Sequence, residues 1–295
     1  MPPRRTRSLI ALATLLLVAT VVVPTAWGIS LRLDGVAQAL AGSMLLVGCS
    51  ALALNGSRPV TMSAKRAVPA VLATTAANAI TPAGVGGTLL VLRIHRRSGL
   101  SAEQAAAAAG LRTVMGAITA TAFTALAATT VGMEELPSGR TTLLVGFGIA
   151  AALAAVTILL PHKRRSAVES AGRFAAAVWD VVRKPRCFVS LLVGCAGVSI
   201  AQLITLQGAV HAVGGHIPLS HLLVALVGST AARSAVPSPG GVGPVEAALI
   251  GGLTALGLGW ATAATAVAVY RTAGHWLPVV AGVISLGELR RRELV

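Results

Sequence analysis

The sequence TPAGVGG, residues 81–87, follows an alanine-rich apolar run, and a similar sequence returns as SPGGVG at residues 238–243. Proline removes a backbone hydrogen-bond donor and glycine relaxes the backbone, so each sequence predicts a break between two helices. We call residues 81–87 the first breaker and residues 238–243 the second breaker. Because the same break occurs twice with apolar residues on both sides, it decides the predicted fold.

The composition is that of a membrane protein. Of the 295 residues, 55% are hydrophobic and 11% are charged, whereas soluble domains carry about 25% charged residues. Apolar runs of about 20 residues recur along the chain and leave no long polar stretch for a soluble core. We therefore predict an all-α, polytopic membrane protein, with residues 1–295 in a single membrane domain.

The net charge of +15 comes from short basic segments that lie between the apolar runs. This distribution follows the positive-inside rule and argues against nucleic-acid binding. It predicts a cell (inner) membrane protein whose N- and C-termini are both cytoplasmic. Residues 4–26 also resemble a signal peptide, but the apolar runs that follow favour a retained first helix.

The hydropathy pattern predicts full membrane spans and shorter broken segments. The arms at residues 67–80, 219–232 and 244–258 extend only about 21–22 Å at 1.5 Å per residue, and the hydrocarbon core is about 30 Å thick. Each broken segment is therefore predicted to be a re-entrant hairpin, with a kink in an ordinary spanning helix as the alternative. The six predicted spans are residues 8–29, 35–56, 105–132, 141–160, 187–213 and 261–286, and the two hairpins are residues 67–92 and 219–258.

The order of span, span, hairpin and span occurs twice. We assign the first half to residues 1–135 and the second half to residues 140–295, with a basic cytoplasmic connector at residues 162–186. Since three spans is an odd number, the halves are predicted to be inverted repeats, as in many transporters. Broken backbone at membrane depth must be buried in protein or face a wet cavity, so the two breakers predict an interior site.

Few ionisable residues lie in the apolar segments. They are Arg112, Arg233, Glu246 and Arg271, and such residues are costly in a membrane and indicate function. We predict that Glu246 pairs with Arg271. Arg233 is predicted to lie nearby, because the helix before the second breaker is expected to end at residue 232. The set is net positive and arginine suits phosphate oxygens, which predicts an anionic or phosphate-bearing lipid head group as ligand. The alternatives are a structural Glu246–Arg271 ion pair and an Arg112 side chain that snorkels to the inner face.

Residues of the breakers complete the predicted substrate-binding set: Asn78, Gly86, Gly87, Gly240 and Gly241. The helix that follows each breaker offers free backbone N–H groups, which favour anions. Asn78 is predicted to hydrogen-bond the freed backbone, with a simple capping role as the alternative.

Enzyme motifs do not occur in the sequence. It contains no GxSxG, HExxH or Walker sequence, and its only aspartates are Asp34 and Asp180. We therefore predict that the protein is not an enzyme and uses no metal or other cofactor.

The combined order of these motifs carries a resemblance to a known family. Residues 78–87 (NAITPAGVGG), Arg112, residues 239–243 (PGGVG) with Glu246, and Tyr270-Arg271 resemble the lysylphosphatidylglycerol synthase transmembrane-region family, also called flippase-like. The resemblance implies re-entrant helices and relatives that move modified anionic or aminoacylated phospholipids between leaflets, or are linked to polyprenyl-phosphate sugar or hopanoid pathways. Thr88 departs from the family pattern, in which an acidic residue often follows the paired glycines.

Two functional hypotheses follow. The first is a lipid flippase-like transporter that moves an anionic or phosphate-bearing head group between leaflets. The second is a membrane accessory protein that presents a polyprenyl-phosphate or lipid to a partner glycosyltransferase and docks through its basic connector. The predicted partners are membrane lipids, with a homo-oligomer or a partner enzyme as further possibilities and no nucleic acid.

Overall fold

The computed structural model describes residues 27–58, 61–81, 85–131, 172, 175–176, 178–236 and 238–291. Within these ranges every regular element is helical, which confirms the all-α prediction. The helices long and apolar enough to cross a membrane are Leu33–Gly56, Ala102–Leu126, Pro185–Ala212 and Trp260–Leu289. They match four of the predicted spans; the predicted spans at residues 8–29 and 141–160 lie almost wholly outside the described residues.

The helices follow the predicted order. In chain order they are α1 (Leu33–Gly56), α2 (Ala64–Ala79), α3 (Val85–Arg97), α4 (Ala102–Val131), α5 (Pro185–Ala212), α6 (Leu219–Ala235), α7 (Pro244–Ala255), α8 (Trp260–Arg271) and α9 (Leu277–Arg291). A 3-10 turn, Pro239–Gly241, lies between α6 and α7, and a π-helical segment, Thr272–Trp276, joins α8 to α9.

Both breakers separate short helices. At 1.5 Å per residue, α2, α3, α6 and α7 are about 24, 20, 26 and 18 Å long, shorter than a hydrocarbon core of about 30 Å. The predicted helix–break–helix form is thus present twice, while re-entry and the total number of spans stay predictions. One predicted boundary was wrong, because the helix before the second breaker was expected to end at residue 232. Helix α6 instead continues through Arg233, and the break begins at Val236, whose backbone is extended. Pro237 explains this position because proline disfavours the helical conformation of the residue before it.

An antiparallel pair of spans, α1 and α5, forms the centre of the bundle. Gly35, Gly42 and Gly56 on α1 are separated by seven and fourteen residues, so they lie on the same side of the helix, and their backbone touches α5. A Cβ atom on Gly42 would lie 2.7 Å from the backbone nitrogen of Thr205, and one on Gly56 would lie 2.6 Å from the Cα of Leu191. Such small-residue contacts let the backbones of membrane helices approach closely.

The helices around α1 and α5 include two spans that each contact one of the broken segments. The last helix, α9, packs on α2 of the first broken segment, and α4 packs on α6 of the second. Gly282 permits the first of these contacts, since a Cβ there would collide with the backbone carbonyl of Leu72. The span that follows each broken segment therefore contacts the first arm of the other one.

Charged and aromatic residues lie at opposite ends of the bundle. Leu54, Ile94 and Leu289 share one buried cluster, so the ends of α1, α3 and α9, with their basic residues, meet at one end. We call this the basic end. At the other end, before α1 and at the start of α8, the exposed rings of Trp27 and Trp260 lie 5.8 Å apart. Tryptophan is typical of membrane interfaces.

Large apolar side chains are exposed along the spans. Met44 on α1 is 76% exposed, Ile118 on α4 is 55% exposed and Val193 on α5 is 52% exposed. In water such surfaces would promote association. The bundle therefore presents the apolar outer surface of a protein that sits in lipid.

Candidate functional site

The first breaker is closed by neutral side chains of its own hairpin. The Asn78 Oδ1 accepts a hydrogen bond from the Gly87 N–H at 2.8 Å, and the Thr81 hydroxyl oxygen accepts one from the Gly86 N–H at 2.9 Å. The Thr81 hydroxyl also donates to the Ala77 carbonyl at 2.9 Å. The predicted bond of Asn78 to the freed backbone is therefore present, and Thr81 makes a second one. They take up N–H groups at the start of α3 that an anion would need.

The paired glycines of the first breaker are needed for this cap. A Cβ on Gly86 would lie 2.7 Å from the Cγ2 of Thr81, and one on Gly87 would collide with the side chain of Asn78. Of the predicted binding residues, Asn78, Gly86 and Gly87 are thus brought together as a helix cap.

The second breaker is held by an ion pair. The Arg271 Nε donates to the Glu246 Oε1 at 2.5 Å, and the Arg271 Nη2 donates to the Gly240 carbonyl at 3.1 Å. The other carboxylate oxygen of Glu246 accepts the Gly243 N–H at 2.7 Å. The predicted Glu246–Arg271 pair is therefore present. It joins α8 to the breaker and to the first turn of α7, where a negative charge also favours the helix dipole.

The second breaker also touches the first hairpin. Gly240, Gly241 and Gly243 have φ angles of 63°, 69° and 97°, a left-handed conformation that glycine adopts without the steric cost of a Cβ. A Cβ on Gly240 would lie 3.5 Å from the Cα of Ala79, the last residue of α2, and 3.1 Å from the His275 Nε2. The tip of the second broken segment therefore lies against the end of α2, beside the first breaker.

A cavity of about 80 Å³ lies beside the second breaker. This volume holds several water molecules or a phosphate-sized group, since one water needs roughly 10–15 Å³ by the same measure. Its charged lining is basic, and most of its polar atoms come from α5, α6 and the π-helical segment. The lining residues are Leu46, Gln202, Thr205, Leu226, Ser229, Thr230, Arg233, Val245, Tyr270, Arg271, Gly274 and His275.

Arg233 extends from the last turn of α6 into this cavity. Its side chain lies across Gly241, where a Cβ would approach the Arg233 Cδ to 2.9 Å. The residue is exposed, and it forms no hydrogen bond or ion pair with any side chain in the described ranges. It lies 14 residues beyond Leu219, about 21 Å along the helix. An exposed guanidinium at membrane depth needs water or an anion, because hydrocarbon cannot solvate it.

His275 adds a buried nitrogen to the same wall. Its Nε2 is buried and has no hydrogen-bond partner among the described residues. The imidazole ring packs edge-on against Trp276, with ring centroids 4.9 Å apart. The free nitrogen is therefore available to a ligand or to water in the cavity.

The π-helical segment that carries His275 has an identifiable cause. Pro278 has no N–H, so the carbonyl of Ala273, five residues earlier, lacks a π-helical donor. The hydroxyl of Ser43 on α1 donates to this carbonyl at 2.6 Å. Pro278 is evident from the sequence. The hydrogen bond from Ser43 to the Ala273 carbonyl was missed, because these two residues lie 230 positions apart.

Other predicted polar residues lie elsewhere. Arg112 does not line the cavity, because α4 packs against the N-terminal part of α5, where Leu111 and Met115 join the cluster of Leu191 and Cys195. Gln207 on α5 accepts a hydrogen bond from the side-chain amide of Gln38 on α1 at 3.0 Å, which is an interhelical contact.

No group of three or more His, Cys, Asp or Glu side chains that could hold a metal ion lies within the described ranges. The charged residues that line the cavity, Arg233 and Arg271, are cationic, and Glu246 pairs with Arg271 beside it. The arrangement suits the binding of an anion.

Comparison with known protein families gives a match over most of the chain. Residues 7–282 match the model of the lysylphosphatidylglycerol synthase TM region. No curated protein and no solved structure matches the chain.

Proposed function

Because the chain belongs to the lysylphosphatidylglycerol synthase TM region family, we propose that it moves the head group of an anionic, phosphate-bearing lipid between the two leaflets. The family is one of membrane proteins in lipid metabolism or transport, and this chain is accordingly a multi-pass membrane protein that contacts lipids. The observation that carries the proposal is Arg233, which is exposed and has no ion-pair partner among the described residues, beside Arg271 in a small polar cavity.

The charge of the cavity supports an anionic ligand. Glu246 balances Arg271, and Arg233 therefore leaves one uncompensated positive charge. A guanidinium binds two phosphate oxygens at once through its planar fork. The free nitrogen of His275 and the hydroxyl of Ser229 border the same space. We propose that the phosphate group enters this cavity while the acyl chains stay in the surrounding lipid.

The second breaker supplies the passage. Its glycine-rich turn lies against the end of the first hairpin, so polar backbone from both halves of the chain lies near the cavity. Such backbone at membrane depth is stable only next to protein or water. We propose that the head group crosses along this polar seam between the two breakers.

Glu246 acts in this scheme as a positioning residue. Its two oxygens accept hydrogen bonds from Arg271 and from the Gly243 N–H, so both oxygens are occupied by donors. We therefore assign proton transfer to neither Glu246 nor Arg271, and we propose transport without covalent chemistry. We further propose that the protein lies in the inner membrane with its basic end toward the cytoplasm.

Reconstitution into liposomes with fluorescent lipids in one leaflet tests the proposal. We expect the wild-type protein to accelerate the exchange of a phosphatidylglycerol reporter more than that of a zwitterionic phosphatidylcholine reporter. The variant Arg233→Glu should lose this preference, because it places a negative charge where the phosphate would bind.

Two results would count against transport. One is equal exchange of both reporters that Arg233→Glu leaves unchanged. The other is no exchange of any anionic reporter, together with a co-purified stoichiometric partner that is lost when Lys163, Arg164 and Arg165 are neutralised. This second result would favour the accessory protein that presents lipid to a glycosyltransferase.

A further inference from the structure

A second group of cationic side chains lies at the basic end of the bundle, apart from the cavity. Arg58 follows the C-terminus of α1, His95 lies in the last turn of α3, and Arg112 lies about three turns into α4. Arg58 and Arg112 are the two cations whose charges act on His95. We call these three residues the basic-end cluster.

The cluster contains buried polar atoms without partners. Arg58 is 2% exposed and His95 is 0% exposed. By strict hydrogen-bond geometry, the Nε and Nη1 of Arg58 and both ring nitrogens of His95 have no partner in the described part of the chain. The backbone of Ala105 lies close enough to the His95 ring to raise its pKa, which partly opposes the effect of burial. Buried polar groups are nearly always paired, and a buried charge without a partner is strongly unfavourable. Four such nitrogens in two neighbouring residues therefore indicate a missing ligand.

The electrostatics of the cluster are those of an anion site. Burial, and next the charge of Arg58, lower the pKa of His95 to about 4, so its ring is neutral at pH 7. Burial also lowers the pKa of Arg58, but arginine stays protonated in proteins. The two guanidiniums therefore carry the positive charge, while neutral His95 can donate one N–H and accept at its other nitrogen.

The helix ends explain only part of this arrangement. Arg58 and His95 lie at the C-termini of α1 and α3, where the helix dipoles favour positive charge. A dipole does not replace a hydrogen bond, and the four nitrogens remain without acceptors or donors among the described residues. Arg112 is only half-buried, so the cluster reaches the surface on that side.

We propose that Arg58, His95 and Arg112 form a second anion-binding site, which takes a phosphate-type oxyanion. The inference goes beyond the proposed transport activity and does not depend on it, because none of the three residues lines the cavity at the second breaker. Two guanidiniums match the charge of a phosphate group and the geometry of its oxygens. The phosphate belongs either to a lipid head group at the membrane surface or to a soluble anion.

Thermal unfolding of the purified full-length protein tests the site. The protein is placed in nanodiscs of phosphatidylcholine, and inorganic phosphate or glycerol phosphate is added; parallel nanodiscs contain phosphatidylglycerol. We expect a phosphate compound in at least one arm to raise the midpoint of unfolding saturably. The apparent affinity should fall at least tenfold in Arg58→Gln and in Arg112→Gln.

The two arms identify the source of the phosphate. Protection by the soluble compounds in phosphatidylcholine identifies a soluble anion, and protection by phosphatidylglycerol alone identifies a lipid head group; either result supports the site. Arg96→Gln is the matched control, because Arg96 is exposed and adjoins His95 on the same helix. It should retain the affinity of the wild type, as should Arg271→Ala if the two sites are separate.

The opposite outcome is equally clear. If no phosphate compound protects the wild type, or if Arg58→Gln and Arg112→Gln respond to phosphate as the wild type does, there is no anion site. Should Arg58→Gln fail to fold, His95→Gln provides the second variant, because it removes no charge at pH 7. It should fold and bind the anion more weakly.

Discussion

The two breakers have similar sequences, yet the protein stabilises them by different chemistry. At the first breaker, the neutral side chains of Asn78 and Thr81 cap the start of α3. At the second breaker, Glu246 and Arg271 form an ion pair that ties the turn to α8. The first breaker is closed on itself, whereas the second borders a polar cavity.

This difference assigns separate tasks to the two hairpins. The first hairpin has Thr88 near the place where the second has Glu246, and so it has no carboxylate to hold an arginine. Arg112, the arginine on α4, does not lie at either breaker but near His95. We infer that the first breaker supports the fold and that the second breaker binds the substrate.

The ion pair should show the largest effect. We expect Arg271→Ala to lower the free energy of unfolding by about 3 kcal/mol, because it leaves the partly buried carboxylate of Glu246 unpaired. Arg271→Ala and Glu246→Gln should each abolish lipid exchange in liposomes. Thermal unfolding and the exchange assay measure the two quantities.

Two further variants separate support of the fold from substrate binding. Glu246→Gln/Arg271→Gln removes both charges, so it should be more stable than Arg271→Ala while still failing to exchange lipid. Glu134→Gln, a carboxylate outside the apolar segments, should behave as the wild type. If substitutions at Glu246, Arg271 and Glu134 are tolerated equally, the Glu246–Arg271 pair serves only packing and does not bind substrate.

The cap of the first breaker should show an intermediate effect. We expect Asn78→Ala to lower the free energy of unfolding by about 1–2 kcal/mol, because the Gly87 N–H loses its acceptor. Gly87→Ala should cost at least as much, since its Cβ would displace Asn78. Exchange per folded molecule should stay close to the wild-type rate.

Gly116→Ala is the control for Asn78→Ala and Gly87→Ala, because a Cβ on Gly116 meets no atom within 4 Å. It should be neutral or stabilising by about 0.5–1 kcal/mol, the helix preference of alanine over glycine. Loss of exchange in Asn78→Ala without loss of stability would overturn the division of tasks, since the first breaker would then bind substrate.

Arg233 should show the smallest effect on stability. Because its side chain is exposed and unpaired within the described residues, we expect Arg233→Gln to change the free energy of unfolding by less than about 0.5 kcal/mol. Exchange of the anionic reporter should nevertheless fall roughly tenfold or more, since a hydrogen bond to a charged group contributes about 1.5–3 kcal/mol. Unchanged exchange would remove Arg233 from the binding site.

Sequence reasoning reached local features better than distant ones. The breakers, the bonds of Asn78 and the Glu246–Arg271 pair were predicted, because proline and glycine act on the backbone at their own positions and an isolated charge in an apolar run needs a partner. Arg112 was grouped with the wrong neighbours, because a hydropathy pattern does not tell which helix α4 packs against. The unpaired nitrogens of Arg58 and His95 were also missed, since burial of a basic residue near a helix end has no local signal.

The sequence by itself determined that the chain is helical, lies in a membrane and is broken twice, because apolar run length and backbone chemistry act locally. Tertiary structure decided which charges meet. It brought Arg233 to the side of Arg271 through the turn at Gly240 and Gly241, and it left Arg58 beside His95. These contacts depend on how close the helices approach each other, and that distance is set by packing between residues far apart in the chain.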